Sequence, residues 1–302
     1  MQPIRELPNT AEPANDGDAR KTHWRSESVA PLWRILSVSG YGLWSWLGLA
    51  LALGFYPAGR NGTLLPLSVG TVLVGAGLLV ACLPWRGAAD WYGWRPRRDS
   101  RPTHAAMIAL MTFLPMLAVA GLARGDNVFW ATRLAGAALS LSCVTSLAYT
   151  GFHYQQQLSS ASQRAATSMP VNRLVFAGYS GGLWLWLCTL AHGELVSPPG
   201  LYPWILLLLV FALLLGLLEG MDWQSLTRSE SHGRASRNHA FGAARFMAAV
   251  FTYVLPCIAL VLARREGLDL VAAAVAVPSC LLGKWLERHL YESLLVRAEA
   301  GE

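Results

Sequence analysis

Eight long apolar stretches are the feature that most limits how this chain can fold. A helix needs roughly 20 predominantly apolar residues to cross the hydrocarbon core of a bilayer, and each stretch is close to that length. The pattern therefore predicts an all-α integral membrane protein with eight transmembrane helices. The stretches occupy residues 35–56, 63–83, 104–123, 128–150, 174–192, 201–219, 243–263 and 268–286.

The first four stretches and the last four share local sequence patterns. Residues 40–47 read GYGLWSWL and residues 178–187 read GYSGGLWLWL, while TFLP from Thr112 matches TYVLP from Thr252. Matching positions lie about 140 residues apart, which indicates a tandem duplication. Because each copy has an even number of helices, both copies enter the membrane in the same direction, and two parallel four-helix repeats are predicted.

Composition and charge exclude other classes of protein. The chain is 54% apolar and 14% charged, against about 25% charged residues in ordinary soluble domains. The net charge of +6 does not indicate nucleic-acid binding, because the Lys and Arg residues lie at segment ends and in loops. The lipid bilayer is the partner that this composition predicts.

The distribution of basic residues predicts the orientation. Nineteen Lys and Arg fall on the side that holds both termini and the loops after stretches two, four and six, and five fall on the other side. The positive-inside rule places the side with 19 charges, here named the basic side, in the cytoplasm. We therefore expect a multi-pass protein of a bacterial inner membrane with both termini cytoplasmic.

Four regions are predicted along the chain. Residues 1–32 form a polar cytoplasmic tail, expected to be disordered and to lack a signal peptide. Residues 33–150 form the first four-helix repeat, residues 151–173 a cytoplasmic linker, and residues 174–298 the second repeat.

The sequence predicts no catalytic centre and no metal site in this chain. The five cysteines are scattered in apolar segments and form no iron–sulfur motif, and the seven histidines lie in tails, loops or segment ends. Ionisable residues inside membrane spans usually mark function. The candidates Glu219, Lys284, Glu287 and Arg288 cluster at the cytoplasmic ends, which leaves the membrane midplane bare and disfavours an ion-coupled transporter.

Several motifs resemble the membrane-anchor subunit of the dimethyl sulfoxide reductase family, over roughly residues 35–298. The run Ser39-Gly40-Tyr41-Gly42 is similar to the family's "SGAGYG" run. Tyr149 through Gly181 resembles "IYA…N-Y-L-x-L-G-L-x-S-G", with matches at Asn172, Leu174, Gly178 and Ser180. Residues 283–291, GKWLERHLY, resemble the terminal motif "G-x-x-x-E-R-W-L-F-F".

The resemblance implies a role, partners and cofactors. Anchors of this family have eight helices, bind a molybdopterin catalytic subunit and an iron–sulfur subunit, and exchange electrons with membrane quinone. Molybdopterin and the iron–sulfur clusters belong to the partner subunits, so none is expected in this chain. Because the matching features fall on the cytoplasmic side, the arrangement is similar to the sulfite dehydrogenase branch, in which sulfite oxidation delivers electrons to quinone.

One departure from the family affects the predicted quinone site. The family's "H-L-G-R-P-x-R-A-W" run after the second helix corresponds here to residues 83–91, LPWRGAADW, which lacks the histidine implicated in quinol chemistry. His104 and His153 are histidines on the same side that could replace it.

The candidate quinone site combines a carboxylate, a fixed cation and hydrogen-bond donors near the cytoplasmic boundary. Glu287 and Arg288 supply the charges, and the alternative is that they form an interfacial salt bridge that only holds the last helix in place. Tyr41 has a packing alternative beside its small glycine neighbours. The proposed quinone-binding residues are Glu287, Arg288, Tyr291, Tyr41, Tyr149, His104 and His153.

The loop after the second stretch is rich in Trp and Arg. Such a loop is either an interfacial aromatic belt with positive charges or a docking surface for the iron–sulfur subunit, since Trp and Arg are typical of interfaces. Docking is favoured because the loop holds more arginine than orientation requires. The docking residues are Trp85, Arg86, Trp91, Trp94, Arg95, Arg97 and Arg98.

Two other functions remain open at this point. The chain is expected to be a non-catalytic anchor that exchanges electrons with quinone. A structural anchor without a quinone site is the first alternative, because the loop histidine is missing. A small-solute transporter built on the repeat is the second.

Overall fold

The structure is a computed structural model that describes residues 16–56, 60–82, 104–123, 130–157, 169–192, 198–230, 238–263 and 268–299. No β-strand occurs within these ranges. The helices are α1 (Asp16–Leu53), α2 (Arg60–Cys82), α3 (His104–Met111), α4 (Phe113–Leu122), α5 (Trp130–Gln157), α6 (Met169–Ala191), α7 (Pro198–Glu230), α8 (Asn238–Ala249), a π-helical segment (Val250–Val254), α9 (Leu255–Leu262) and α10 (Asp269–Glu299).

The all-helical membrane architecture predicted from the sequence is confirmed at this level. Among the described residues, seven helical spans have the length and hydropathy needed to cross a bilayer, and the chain is a multi-pass membrane protein. Large apolar side chains such as Leu206, Leu213 and Leu217 are exposed on the outside of the bundle, where a bilayer would surround them. The third predicted stretch differs, because it forms the shorter apolar run Ala106–Leu122, interrupted at Thr112.

Proline explains the helix irregularities in the third and seventh stretches. Proline has no N–H to donate to the carbonyl four residues earlier, so Pro115 and Pro256 each remove one helical hydrogen bond. Near Pro115 the helix divides into α3 and α4. Near Pro256 the Leu255 N–H donates to the carbonyl of Val250, which is the five-residue spacing of a π-helix.

Helices α1 and α6 form the centre of the bundle. In an apolar window of 18 residues within their spans, 67% and 61% of the residues are buried, against 28% in that of α7. The two backbones meet at Gly42 and Gly181, where a methyl group on Gly42 would overlap the carbonyl of Ala177. The Trp46 indole donates a hydrogen bond of 2.7 Å to the Gly178 carbonyl across the same contact. Small residues allow this close approach, as is usual for helices packed in membranes.

The remaining helices surround this pair. Helix α5 approaches α1 where Gly48 faces Ser140 and Gly136 faces Leu51. Helix α10 packs against α8, the π-helical segment and α9, and also contacts α6. Helix α7 lies at the periphery, where it packs against α6 and α9.

Two helices extend into regions for which the sequence analysis predicted no helix. Helix α1 begins at Asp16, so residues 16–32 are helical where a disordered tail was expected. Helix α5 continues to Gln157 and α6 begins at Met169, so both ends of the predicted linker 151–173 are helical. Apolar periodicity marks the membrane-spanning part of a helix, whereas a helix can continue into polar residues beyond the bilayer.

Candidate functional site

Four polar side chains meet between α7, the π-helical segment and α10. They are Glu219 on α7, Tyr253 in the π-helical segment, and Lys284 and Glu287 on α10. We refer to these four residues as the ionic cluster. The side chains of Glu219, Lys284 and Glu287 are only 8%, 14% and 13% exposed. The cluster therefore buries charged groups within a membrane-spanning bundle.

Both carboxylate oxygens of Glu219 have a donor. The Lys284 ammonium forms an ion pair with Oε1, and the Tyr253 hydroxyl donates a hydrogen bond to Oε2. A buried carboxylate is stable when it is paired and its remaining lone pairs are hydrogen-bonded. Through these contacts one residue on α7 links that peripheral helix to two other parts of the bundle.

Lys284 is held between two carboxylates. Besides Glu219, its Nζ lies 3.1 Å from Oε2 of Glu287, one turn further along α10. The same Nζ lies 5.5 Å from the centre of the Phe176 ring on α6, within the range of a cation–π interaction. Lys284 thus contacts groups on α6, α7 and α10.

The π-helical segment presents Tyr253 to Glu219. Its backbone is held by α10, because the Ser279 hydroxyl donates a hydrogen bond of 2.8 Å to the carbonyl of Phe251. The Tyr253 ring lies beside Gly216 of α7, where an added methyl group would be 3.9 Å from the ring. The Tyr253 ring therefore packs beside α7 at an ordinary van der Waals distance.

The cluster extends from one end of the bundle toward its middle. Glu219 lies near the end of the span Pro203–Met221, whereas Tyr253 lies close to the middle of the span Gly242–Leu262. Lys284 is six residues before the end of the span Asp269–Leu290, about 9 Å along the helix axis at 1.5 Å per residue. Tyr253 is the member of the cluster whose backbone lies at the midplane, and Glu219, Lys284 and Glu287 lie between that depth and the end of the bundle.

The geometry of the cluster is suited to proton exchange. Its two carboxylates can each hold or release a proton, and a tyrosine hydroxyl both donates and accepts hydrogen bonds. Ionisable groups in such positions commonly belong to proton relays or substrate pathways in membrane proteins.

The structure places Glu287 in the cluster through Lys284. Glu287 and Arg288 are adjacent on α10, and adjacent residues on a helix do not face each other. The pairing of Glu287 with Lys284, three residues earlier, follows from the helical repeat. Glu287 therefore lies in a polar cluster, and the cation that it pairs with there is Lys284.

The other predicted quinone residues lie elsewhere in the bundle. Tyr41 is buried on α1, and its hydroxyl donates a hydrogen bond of 3.3 Å to the Ala109 carbonyl of α3. Tyr149 and His153 stack on each other on α5, with ring centres 6.3 Å apart. His104 is exposed at the first residue of α3. None of these contacts joins Tyr41, Tyr149, His104 or His153 to the ionic cluster.

Some predicted residues lie outside the described part of the structure. Tyr291 belongs to α10, but its side chain is not among those described. The predicted docking residues all fall between residues 83 and 103, also outside the described ranges: Trp85, Arg86, Trp91, Trp94, Arg95, Arg97 and Arg98.

Sequence reasoning identified Glu219 and Lys284 as ionisable but did not pair them, and it treated Tyr253 only as a marker of the repeat. The sequence did contain a signal for this pairing. Glu219 and Lys284 are opposite charges in two apolar spans, and such residues usually pair with one another. Within the described residues, no group of three or more His, Cys, Asp and Glu side chains is arranged to hold a metal ion.

Comparison with known proteins yields no relative. No family model matches the chain, and no curated protein or solved structure does either. The contacts of the ionic cluster and the motifs of the sequence are therefore the basis for a functional proposal.

Proposed function

We propose that this chain is the membrane-anchor subunit of a molybdopterin oxidoreductase complex and that it exchanges electrons with membrane quinone. Quinone reduction and quinol oxidation move protons together with electrons, so such a site needs proton-exchanging groups next to an apolar surface. The ionic cluster is the single observation that carries the proposal. Its carboxylates, ammonium and hydroxyl lie inside a membrane bundle with lipid-facing helices on two sides.

The proposal includes the eight-span, two-repeat architecture. With the apolar run Ala106–Leu122 as a further span, the count rises from seven to eight. Two features support the repeat. The matching stretches both depart from regular α-helix near Thr112 and Thr252, and the first helices of the two copies, α1 and α6, meet at the centre. Parallel repeats related by an axis along the membrane normal bring equivalent helices together in this way.

The basic side faces the cytoplasm of a bacterial inner membrane in this proposal, because it holds 19 of the Lys and Arg residues. The iron–sulfur and molybdopterin subunits dock on that side through the Trp- and Arg-rich loop of residues 83–103. The ionic cluster lies toward the same side, since Glu219 is near the end of the bundle where α7 leaves its span.

Affinity purification from membranes in a mild detergent tests the anchor role. The expected result is co-purification of two further subunits together with bound molybdenum and iron. Recovery of the chain without another subunit and without either metal would contradict the proposal. Metal analysis of the same sample separates a molybdoenzyme complex from an unrelated assembly.

A double variant tests the quinone site that the family resemblance suggested. Replacing Glu287 by Gln and Arg288 by Ala should leave the complex assembled and slow its quinone-linked turnover at least about tenfold, as expected when an acid–base group is lost. If the assembled double variant keeps full turnover, these two residues act only as a structural contact and the anchor has no quinone site at this position.

A proton-coupled transporter is the second candidate, and one observation favours it. Irregular helices at corresponding positions of two repeats commonly mark a transport site, and the irregularities at Thr112 and Thr252 fit that description. Co-purification distinguishes the two functions, because a transporter has no need of molybdenum- and iron-containing subunits.

A further inference from the structure

We infer that Glu219 is a proton-carrying residue whose neighbours keep it partnered in both of its protonation states. The inference deepens the proposed function, on which it rests for the destination of the proton, a quinone headgroup. Three arrangements around Glu219, and the difference between the two halves of the chain, support it.

The first contact concerns the charge on Lys284. If Glu219 takes up a proton, an ordinary buried ion pair would lose its anion, and an uncompensated buried charge is strongly destabilising. Here Glu287 remains 3.1 Å from the same ammonium, and the Phe176 ring lies 5.5 Å away. Lys284 therefore keeps an anionic partner while Glu219 is neutral.

The second contact concerns the hydrogen bond between Glu219 and Tyr253. The Tyr253 hydroxyl donates to the Glu219 carboxylate. A protonated Glu219 can instead donate to that hydroxyl oxygen, because a phenol is both a donor and an acceptor. The pair can therefore reverse its hydrogen bond without leaving a buried polar group unsatisfied, which would be destabilising.

The depths of these residues along the bundle set the direction in which the proton can move. Glu287 lies one turn nearer than Lys284 to the end of α10, whereas Tyr253 lies near the middle of its span. Glu219 is between them, since it contacts both Lys284 and Tyr253. A proton taken up near Glu287 can thus reach the interior of the bundle through Glu219.

The first half of the chain builds similar helices without these groups. Phe113 follows Thr112 in TFLP as Tyr253 follows Thr252 in TYVLP, so the first half lacks only the hydroxyl at that position. Phe113 packs edge-on against Trp44, with ring centres 5.2 Å apart. The span Gly62–Val80 contains no Asp, Glu, Lys or Arg. The helical architecture therefore does not require the cluster, and a chemical role explains its presence.

Reduction of one quinone takes up two electrons and two protons, and the electrons come from the iron–sulfur partner. Glu219 delivers one proton through the Tyr253 hydroxyl, regains a proton from water at the basic side by way of Glu287, and delivers the second. Quinol oxidation runs the same steps in reverse and releases two protons to that side.

The titratable groups around Glu219 come from each neighbouring element. Helix α10 contributes Lys284, Glu287 and Cys280, and the π-helical segment contributes Tyr253. Helices α6 and α9 contribute Tyr179 and Cys257, which neighbour Cys280. Glu219 and Glu287 are the carboxylates in this set, so an infrared signal from a protonated carboxyl group distinguishes them from the other groups.

The test is pH-difference infrared spectroscopy of the full chain in lipid, with no quinone added. Wild-type protein should show a carboxyl C=O band that titrates and that disappears in Glu219→Gln. This variant should fold, because Lys284 keeps Glu287. Asp269→Asn, at the other end of α10, is the matched control and should keep the band. In Tyr253→Phe the band should shift in frequency, because its hydrogen-bond partner is lost.

Glu287→Gln separates the inference from a simple ion pair. Without Glu287, Lys284 depends on Glu219 alone, so the band should titrate only in solutions more acidic by at least about one pH unit, since an adjacent opposite charge favours the ionised carboxylate. Absence of a titrating band in the wild type, or its persistence in Glu219→Gln, would overturn the inference. If the band behaves as expected but affinity purification from membranes recovers no molybdoenzyme partner, proton carrying by Glu219 stands and the quinone destination is overturned.

Discussion

The Ser279 hydroxyl donates a 2.8 Å hydrogen bond to the Phe251 carbonyl, inside the π-helical segment. Pro256 and the five-residue hydrogen bond from Leu255 to Val250 set the local backbone. Ser279 on α10 therefore holds the π-helical segment at Phe251, which is two residues before Tyr253. The position of Tyr253 against Glu219 therefore depends on a contact that is itself outside the ionic cluster.

Replacing Ser279 by Ala should lower the stability of the protein in detergent by roughly 0.6 kcal/mol, the average for a hydrogen bond between membrane helices. Ser142→Ala is the matched control, because the Ser142 hydroxyl bonds within its own helix to the Leu139 carbonyl at 2.9 Å. Thermal unfolding followed by size exclusion measures both variants. Equal midpoints for the two would show that the α10 contact does not hold the π-helical segment.

The crossing of α1 and α6 gives a second prediction. Gly42→Val should destabilise the protein by at least about 1–3 kcal/mol, because the new side chain overlaps the Ala177 backbone. The control is Gly75→Val on α2, where an added methyl group meets no other group within 4 Å. The same unfolding assay applies. A Gly42→Val protein as stable as the control would contradict the close contact of the two helices.

Removing Lys284 should destabilise the bundle strongly. Lys284→Met leaves Glu219 and Glu287 as neighbouring buried carboxylates, and the loss of one partner from a buried pair costs about 3–5 kcal/mol. Adding Glu219→Gln to the same chain should recover part of that loss, since one of the two carboxylates is removed. A double variant no more stable than Lys284→Met would mean that the charge on Glu219 does not depend on Lys284.

Reporter fusions test the predicted orientation. The distribution of 19 against five basic residues predicts that a reporter fused after residue 302 is active only if it works in the cytoplasm. A fusion in the loop between α7 and α8 should behave in the same way, whereas one between α1 and α2 should behave oppositely. A periplasmic phosphatase signal after residue 302 would reverse the assigned sides.

The sequence was sufficient to predict the helical membrane architecture, because the length of an apolar stretch is fixed by bilayer thickness. The exposed Leu206, Leu213 and Leu217 agree with helices that face lipid. The interruption near Thr112 was harder to predict. Pro115 was visible, but whether a proline bends, divides or only locally widens a helix depends on neighbouring groups that satisfy the freed backbone.

The ionic cluster could not be assembled from the sequence. Glu287 and Arg288 were paired because they are adjacent, although adjacent helical residues diverge. The partner of Glu219 is Lys284, which is 65 residues away in the chain, and this pairing depends on how α7 packs near α10. Tyr253 donates its hydrogen bond to Glu219 from a π-helical segment, which the apolar pattern of the sequence did not predict.

Quinone-linked turnover of the purified complex, compared between wild type and Glu219→Gln, tests the central claim most directly. The claim predicts that the variant retains its partner subunits and bound metals but turns over quinone at least about tenfold more slowly, as for loss of a proton-transfer group. Asp269→Asn should match the wild type. A Glu219→Gln complex with all its subunits and full quinone turnover would contradict the claim.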